Sequence, residues 1–271
     1  MSKIIAIANQ KGGVGKTTTC MNMATFAALM GKKVLAVDID PQGNCSTGLG
    51  IEKNTLKASV YTVLSGDTSP KTAIIPTIVP NLDILPSNID LAGAEVELVS
   101  VDDREKVLKG VLNSLRNDYD YIFIDCPPSL GLLTVNALAS ADSILIPIQG
   151  EFFALEGLSQ LLNTIKLAKK FLNPSLSIEG VVLTMYDGRS KLVQSVAEEI
   201  QKFFGNKVYS TKIPRNVRLG EAPSYGIPIA YYEPRSLGSI AYKSLTEEFF
   251  IRNKVKYEKI ADMSKLKAKV K

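Results

Sequence analysis

The stretch that most limits what this chain can fold into is its N-terminal end, Lys3-Ile-Ile-Ala-Ile-Ala-Asn-Gln-Lys-Gly-Gly-Val-Gly-Lys-Thr-Thr-Thr. The apolar run from Ile4 to Ala8 predicts a buried strand, Asn9 to Gly15 a glycine-rich turn, and a helix beginning near Lys16. That order builds a phosphate cradle. Glycines let the backbone curl until successive N–H groups point at one anion, and the helix N-terminus adds partial positive charge. A nucleotide is therefore expected along Gly12, Gly13, Val14, Gly15, Lys16, Thr17 and Thr18. Lys16 would reach its terminal phosphates and the Thr17 hydroxyl would ligate Mg²⁺.

The usual spacing G-x-x-x-x-G-K-[ST] is not met. Counting back from Gly15-Lys16-Thr17, Gln10 stands where the first glycine belongs, and Lys11 adds a second lysine to the loop. A lone loop lysine reads as solvated surface, but beside three glycines and a second lysine a phosphate role is the better account.

Composition narrows the chemistry. The 271 residues contain no histidine and no tryptophan, which removes Ser–His and Cys–His nucleophiles and histidine-ligated zinc. Cys20, Cys45 and Cys126 are widely spaced with no C-x-x-C pair, so they read as reduced thiols rather than cluster ligands. No apolar run is long enough for a membrane span, and Lys3 before Ile4 leads straight into the glycine loop, so neither a span nor a signal peptide is expected. The net charge of +5 is concentrated: from Ile251 onward, Arg252 and seven lysines face only Glu258 and Asp262.

Along the chain, a helix is expected from Thr17 to Met30 and a strand from Val34 to Val37 that runs into Asp38-Ile-Asp-Pro-Gln-Gly-Asn. A carboxylate just past a parallel strand sits at the ligand edge of the sheet. Asp40 there suits either ordering an attacking water or holding Mg²⁺ through water. Helices are expected at Val60–Leu64, Leu91–Val99 and Arg104–Leu115, with a strand at Leu82–Leu85. The strand Tyr121–Ile124 ends on Asp125, the place of a Mg²⁺-holding carboxylate. Further strands are expected at Ser143–Ile148, Ile178–Met185 and Lys207–Thr211, and helices at Phe153–Phe171 and Lys191–Phe204. The alternation implies a doubly wound α/β fold, a mostly parallel sheet with helices on both faces. One domain over residues 1–250 is expected, then a basic tail over 251–271.

The two-lysine loop resembles the deviant Walker A motif of the ParA/MinD family of ATPases. The resemblance implies that Lys11 reaches across a dimer interface to the partner's nucleotide, and that Asp40 positions the hydrolytic water. The segment Ile213-Pro-Arg-Asn-Val-Arg-Leu-Gly-Glu-Ala-Pro-Ser-Tyr-Gly-Ile-Pro is similar to that of chromosomal ParA proteins of the Soj type. That likeness implies that Pro214 and Asn216 border the adenine with Met185 nearby. By themselves Arg189 and Arg218 read as solvated arginines; the same likeness makes them DNA contacts, with Lys191, Arg215 and Arg235 as lesser candidates. Such arginines would clamp phosphates without reading sequence.

What the family implies for function is a Mg²⁺-dependent ATPase, slow without a partner, whose ATP-bound homodimer binds non-specific DNA. Stimulation by a ParB/Spo0J-like centromere-binding protein would release it, segregating a chromosome or plasmid. The protein would be cytoplasmic and nucleoid-associated, and no operator-reading helix-turn-helix is expected before Met1. The competing reading is a MinD-like membrane-associated ATPase. Ile260, Met263, Leu266 and Val270 do share one helical arc, but Lys259 and Lys267 fall inside it and no Trp or Phe follows Phe250. A solvated or DNA-touching extension without membrane contact is therefore expected. A third class, a metabolic P-loop enzyme, would release ADP only with its small-molecule substrate.

Overall fold

Seven strands form one sheet in the computed structural model, which describes residues 2–151 and 154–266. They are β1 (Lys3–Ile7), β2 (Val34–Asp38), β3 (Ile75–Pro76), β4 (Leu82–Leu85), β5 (Tyr121–Asp125), β6 (Ser143–Gln149) and β7 (Ser177–Thr184). Their order is β3-β4-β2-β5-β1-β6-β7, and only the β3–β4 pair is antiparallel. The doubly wound expectation holds.

The strands are apolar on both faces because both faces are covered. Ile4, Ala6, Leu35, Val37, Ile122, Ile124, Ile144 and Ile146 point to one core, and Ile5, Ile7, Val34, Ala36, Tyr121 and Phe123 to the other. The second core is closed by α1 (Lys16–Leu29) and by the C-terminal helix Leu237–Arg252. Since α1 is covered by the sheet and by that helix, two of its buried polar side chains find partners inside the protein. Thr19 meets the Tyr242 hydroxyl at 3.1 Å, and the Asn22 amide donates to the Thr18 carbonyl at 2.8 Å.

β1 lies between β5 and β6. The chain leaves β1 through α1 toward β2, and leaves β5 through the helix Leu132–Ser140 toward β6, so the connections diverge at the C-terminal ends of β1 and β5. Crevices at such points take ligands in open α/β sheets.

Two expectations fail. Lys207–Thr211 is not a strand: a 3-10 turn covers Gly205–Lys207, and Val208 makes one isolated bridge to Val181. The Glu248 carboxylate accepts from the Ser210 and Thr211 N–H groups, both at 2.8 Å, so those donors are unavailable to a ladder. The described part of the tail, as far as Leu266, is also not a freely solvated extension. After Lys254, at φ 56, the chain turns back; the Glu258 N–H donates to the Met30 carbonyl at 3.1 Å, and the Tyr257 ring stacks on Phe250 with centroids 5.4 Å apart. Val255, Tyr257, Ile260, Met263 and Leu266 pack against the core under α1. Burying those side chains outweighs solvating the lysines, whose charged ends can still reach water. Phe153, Lys267 and Val270, used in the sequence reading, lie outside the described residues.

Candidate nucleotide-binding site

The loop after β1 has the backbone its glycines predict. Gly13 and Gly15 take φ +75 and +86, a region that strains a residue with a Cβ. Gly15 caps α1 with no side-chain hydrogen bond, so the first-turn N–H groups are left to an incoming anion. The loop is tied to the sheet by residues far away in sequence. The Thr184 hydroxyl at the end of β7 donates to the Val14 carbonyl at 2.8 Å, and the Asn9 amide donates to the Pro147 carbonyl at 2.7 Å. The Asn9 side-chain oxygen in turn accepts from the Lys11 N–H at 3.1 Å.

Below the loop, three carboxylates and an ammonium group converge. β2 and β5 pair in register, so Asp38 lies beside Asp125 at the sheet's C-terminal edge. Asp38 is fully buried, and burial pushes its carboxyl up to about 6 even though Ser46 donates to it from both N–H and hydroxyl at 2.8 Å. Asp125 is also fully buried, and apart from the nearby Thr17 hydroxyl neither of its oxygens has a hydrogen-bond partner. Burial and then the charge of Asp38 push it well above the carboxylate range, with Thr17 acting in the opposite direction. Asp40 is 7% exposed and accepts from the Gln42 N–H at 2.9 Å. Burial lowers the ammonium of Lys16 while Asp125 and Asp40 raise it, and its Nζ donates to the Lys11 carbonyl at 3.2 Å.

A buried carboxylate with so few donors calls for a cation. The donors here fit Mg²⁺, which is commonly held by one or two carboxylates, a hydroxyl, phosphates and water rather than by an all-protein cage. Among the described residues no group of three or more His, Cys, Asp or Glu side chains forms such a cage.

Most of the expected site residues meet in one cleft of about 970 Å³ lined by Gly12, Gly13, Gly15, Lys16, Thr17, Thr18, Asp40, Met185, Pro214 and Asn216. Met185 sits at φ 47, uncommon for a side-chain-bearing residue, where β7 hands over to the loop; the Tyr186 N–H then donates to the Ile213 carbonyl at 2.9 Å and brings Pro214 alongside. The Asn216 side-chain oxygen accepts from the Arg218 N–H at 3.1 Å, which fixes the side chain and leaves both amide hydrogens and one oxygen lone pair for a ligand. Three expected residues do not line the cleft. The Val14 side chain is buried and only its backbone faces the loop; Asp125 lies beneath the floor; Lys11 points away, ion-paired with Glu151.

The two arginines are exposed and each is paired locally, Arg189 with Asp187 at 2.9 Å and Arg218 with Glu221 at 2.7 Å. The bridge between Tyr186 and Pro214 sets their two segments side by side. Sequence reasoning left Asp38, Asn9, Thr184 and Glu151 without a role. Asp38 was within reach, as the last residue of its strand; the others act through partners about 140 to 170 positions away, which no local pattern encodes.

The glycine loop, the buried lysine and the carboxylates at the β1–β5–β2 edge define a phosphate-loop nucleotide-binding protein with a second lysine in its loop. Residues 2–178 match the AAA domain family. The chain is 58% identical to the sporulation initiation inhibitor protein Soj of Bacillus subtilis, over 92% of this chain and 98% of that protein. It is 49% identical to the chromosome partitioning protein ParA of Caulobacter vibrioides, over 96% and 98%. Among solved structures, cobyrinic acid a,c-diamide synthase from Mycobacterium smegmatis, with bound ATP analog and magnesium, superposes with a TM-score of 0.84 at 35% identity, covering 97% of this chain and 100% of that one. The chain belongs to the ParA/Soj family of chromosome-partitioning ATPases.

Proposed function

We propose that this protein is an ATP-dependent DNA-segregation ATPase whose ATP-bound dimer holds DNA non-specifically and lets go on hydrolysis. The observation that carries the reading is the division of labour between the loop's two lysines. Lys16 is buried over the carboxylates, whereas Lys11 stands outside the cleft on a half-exposed ion pair with Glu151. Such a pair is worth about 0–1 kcal/mol, so Lys11 can exchange Glu151 for a phosphate of a second subunit at little cost.

ATP would lie along Gly12 to Thr18, with its base between Met185, Pro214 and Asn216. Thr17, Asp40 and Asp125 would hold Mg²⁺, which when bound neutralises charge developing on the phosphates. Asp40, whose carboxylate accepts from the Gln42 N–H, would order the attacking water. With no strong general base in the cleft, turnover rests on positioning and charge and is expected to be slow until a ParB-type partner acts. Arg189 and Arg218 would trade Asp187 and Glu221 for DNA phosphates, giving binding that falls steeply with salt. In the ATP state the protein would be bound to the nucleoid.

The docked position of Ile260, Met263 and Leu266 weighs against a MinD-like membrane anchor, which needs a free apolar face. The test is DNA binding with ATP plus Mg²⁺ against ADP at two salt concentrations, using Asp40→Ala to trap the ATP state. Binding that is ATP-dependent, indifferent to sequence, sensitive to salt and lost in Arg189→Glu or Arg218→Glu is expected. A protein that dimerises on ATP and leaves DNA unbound refutes the reading.

A further inference from the structure

The loop that carries Asp40 is gripped from beneath by three residues that the proposed hydrolysis does not use. Asp38, at the end of β2, accepts from the Asp40 N–H at 3.2 Å through Oδ1, and from both the N–H and the hydroxyl of Ser46 at 2.8 Å through Oδ2. The Ser46 hydroxyl accepts in turn from the Ser87 N–H at 2.9 Å. Asp38, Ser46 and Ser87 are all fully buried. A hydroxyl has one proton, and the Ser87 N–H can only donate. The Ser46 proton therefore goes to Asp38, and the direction of the chain of bonds is fixed.

These bonds lie beyond the sheet ladder. β2 and β4 pair from Val34–Leu82 to Val37–Leu85. Past that point the chain after β2 turns through Pro41, Gln42 and Gly43 into the short helix Asn44–Gly48, while the chain after β4 runs through Pro86 to Ser87. Ser46 joins the two. They are also pressed together: Gly43 sits at φ +59, and an added Cβ there would stand 2.7 Å from the Ser87 carbonyl oxygen.

Asp40 takes its position from this loop. Its N–H is held by Asp38, its carbonyl accepts from the Gly43 N–H at 2.8 Å, and its carboxylate accepts from the Gln42 N–H at 2.9 Å. All three contacts lie within residues 38–43. The Ser46 hydroxyl ties the far end of that segment to the chain after β4 in the buried interior, whereas a second tie, from the Lys53 ammonium to the Gln42 carbonyl at 2.5 Å, is exposed. A displacement of about 1 Å at a reacting group can cost about 10²-fold in rate, so a bridge that removes slack from this loop acts on turnover more than on binding.

We propose that Ser46 is a positioning residue for ATP hydrolysis: by bridging Asp38 and Ser87 it fixes the loop that sets the Asp40 carboxylate. The proposal rests on the reading in which Asp40 orders the attacking water, and adds what holds Asp40 in place.

The experiment measures single-turnover hydrolysis of Mg²⁺-ATP by the full chain and, separately, its affinity for an ATP analogue that is not hydrolysed. The unaltered protein is compared with Ser46→Ala, Ser46→Cys and Asp40→Ala. Alanine deletes the hydroxyl; cysteine fills the space but bonds only weakly, so it separates a lost hydrogen bond from a void. In both Ser46 variants the rate should fall at least about fivefold while analogue affinity stays within about twofold, because Ser46 touches neither the phosphate loop nor the base contacts. A smaller fall in either variant overturns the proposal. A fall matched by weaker analogue binding overturns it as well, since that is what a merely structural role produces. If Asp40→Ala itself hydrolyses ATP at the unaltered rate, the reading of Asp40 falls, and the proposal with it.

Discussion

Replacing Asp125 by Asn should make the protein more stable and remove its response to Mg²⁺ and nucleotide. The reason lies in the buried carboxylates. Asp38 and Asp125 are both fully buried and adjacent in register, and apart from the Thr17 hydroxyl, which favours the charged form, neither Asp125 oxygen has a hydrogen-bond partner, so the substitution forfeits little. Removing the ionisable group at a position where burial and Asp38 disfavour its charge relieves a desolvation cost of about 1–3 kcal/mol. At about 2–4 °C per kcal/mol for a chain of this size, a gain of about 2 kcal/mol would raise the thermal midpoint by roughly 4–8 °C without ligand. The pH dependence gives a second check. A carboxyl raised in the folded state makes that state bind more protons than the unfolded chain, so stability increases as pH falls through the folded value toward the unfolded one. For Asp38, at about 6 against an ordinary 3.8, the full effect is about 3 kcal/mol, of which roughly 1 kcal/mol should appear between pH 7 and pH 5. Thermal scans of the unaltered protein and Asp125→Asn, with and without Mg²⁺-ATP, at pH 7 and 5 measure all of this. The unaltered protein should gain stability at pH 5, and the variant should gain less. An Asp125→Asn protein that melts below the unaltered one at pH 7 would show that the carboxylate is satisfied as it stands, and the reasoning would be wrong.

Three other outcomes follow from the same contacts. Lys11→Ala should leave the thermal midpoint nearly unchanged, since its pair with Glu151 is half-exposed, while abolishing ATP-dependent dimers in sedimentation. Glu179→Gln should cost about 1–3 kcal/mol at pH 7, because Glu179 accepts from Lys3 at 2.6 Å and from Asn253 and Ser143 at 2.7 Å. Burial raises the Glu179 carboxyl, but those three donors outweigh it and hold it below its ordinary value, so the penalty should fade as pH drops below about 4 in denaturant titrations. Deleting residues 255–271 should lower stability by on the order of 3–5 kcal/mol, since five partly buried apolar side chains are stripped from the surface of the core; an unchanged melting curve would mean the tail is solvated after all.

The sequence by itself determined the parts of this protein whose physics is local. Glycines at 12, 13 and 15 before Lys16 can only be a tight turn entering a helix, and five consecutive apolar residues after Lys3 need a sheet covered on both faces. Asp40 and Asp125 were legible because each follows an apolar strand of a parallel sheet, where ligands bind. Tertiary structure decided whatever depends on a partner remote in sequence. Glu248 takes the donors that would have made Lys207–Thr211 a strand, Thr184 holds the loop from 170 residues away, and Glu151 draws Lys11 out of the cleft. The tail shows the limit most directly. Its charges were visible and predicted a solvated or DNA-touching extension, but whether Val255, Tyr257, Ile260, Met263 and Leu266 face water depended on an open apolar surface beside Phe250, and only the folded chain creates that surface.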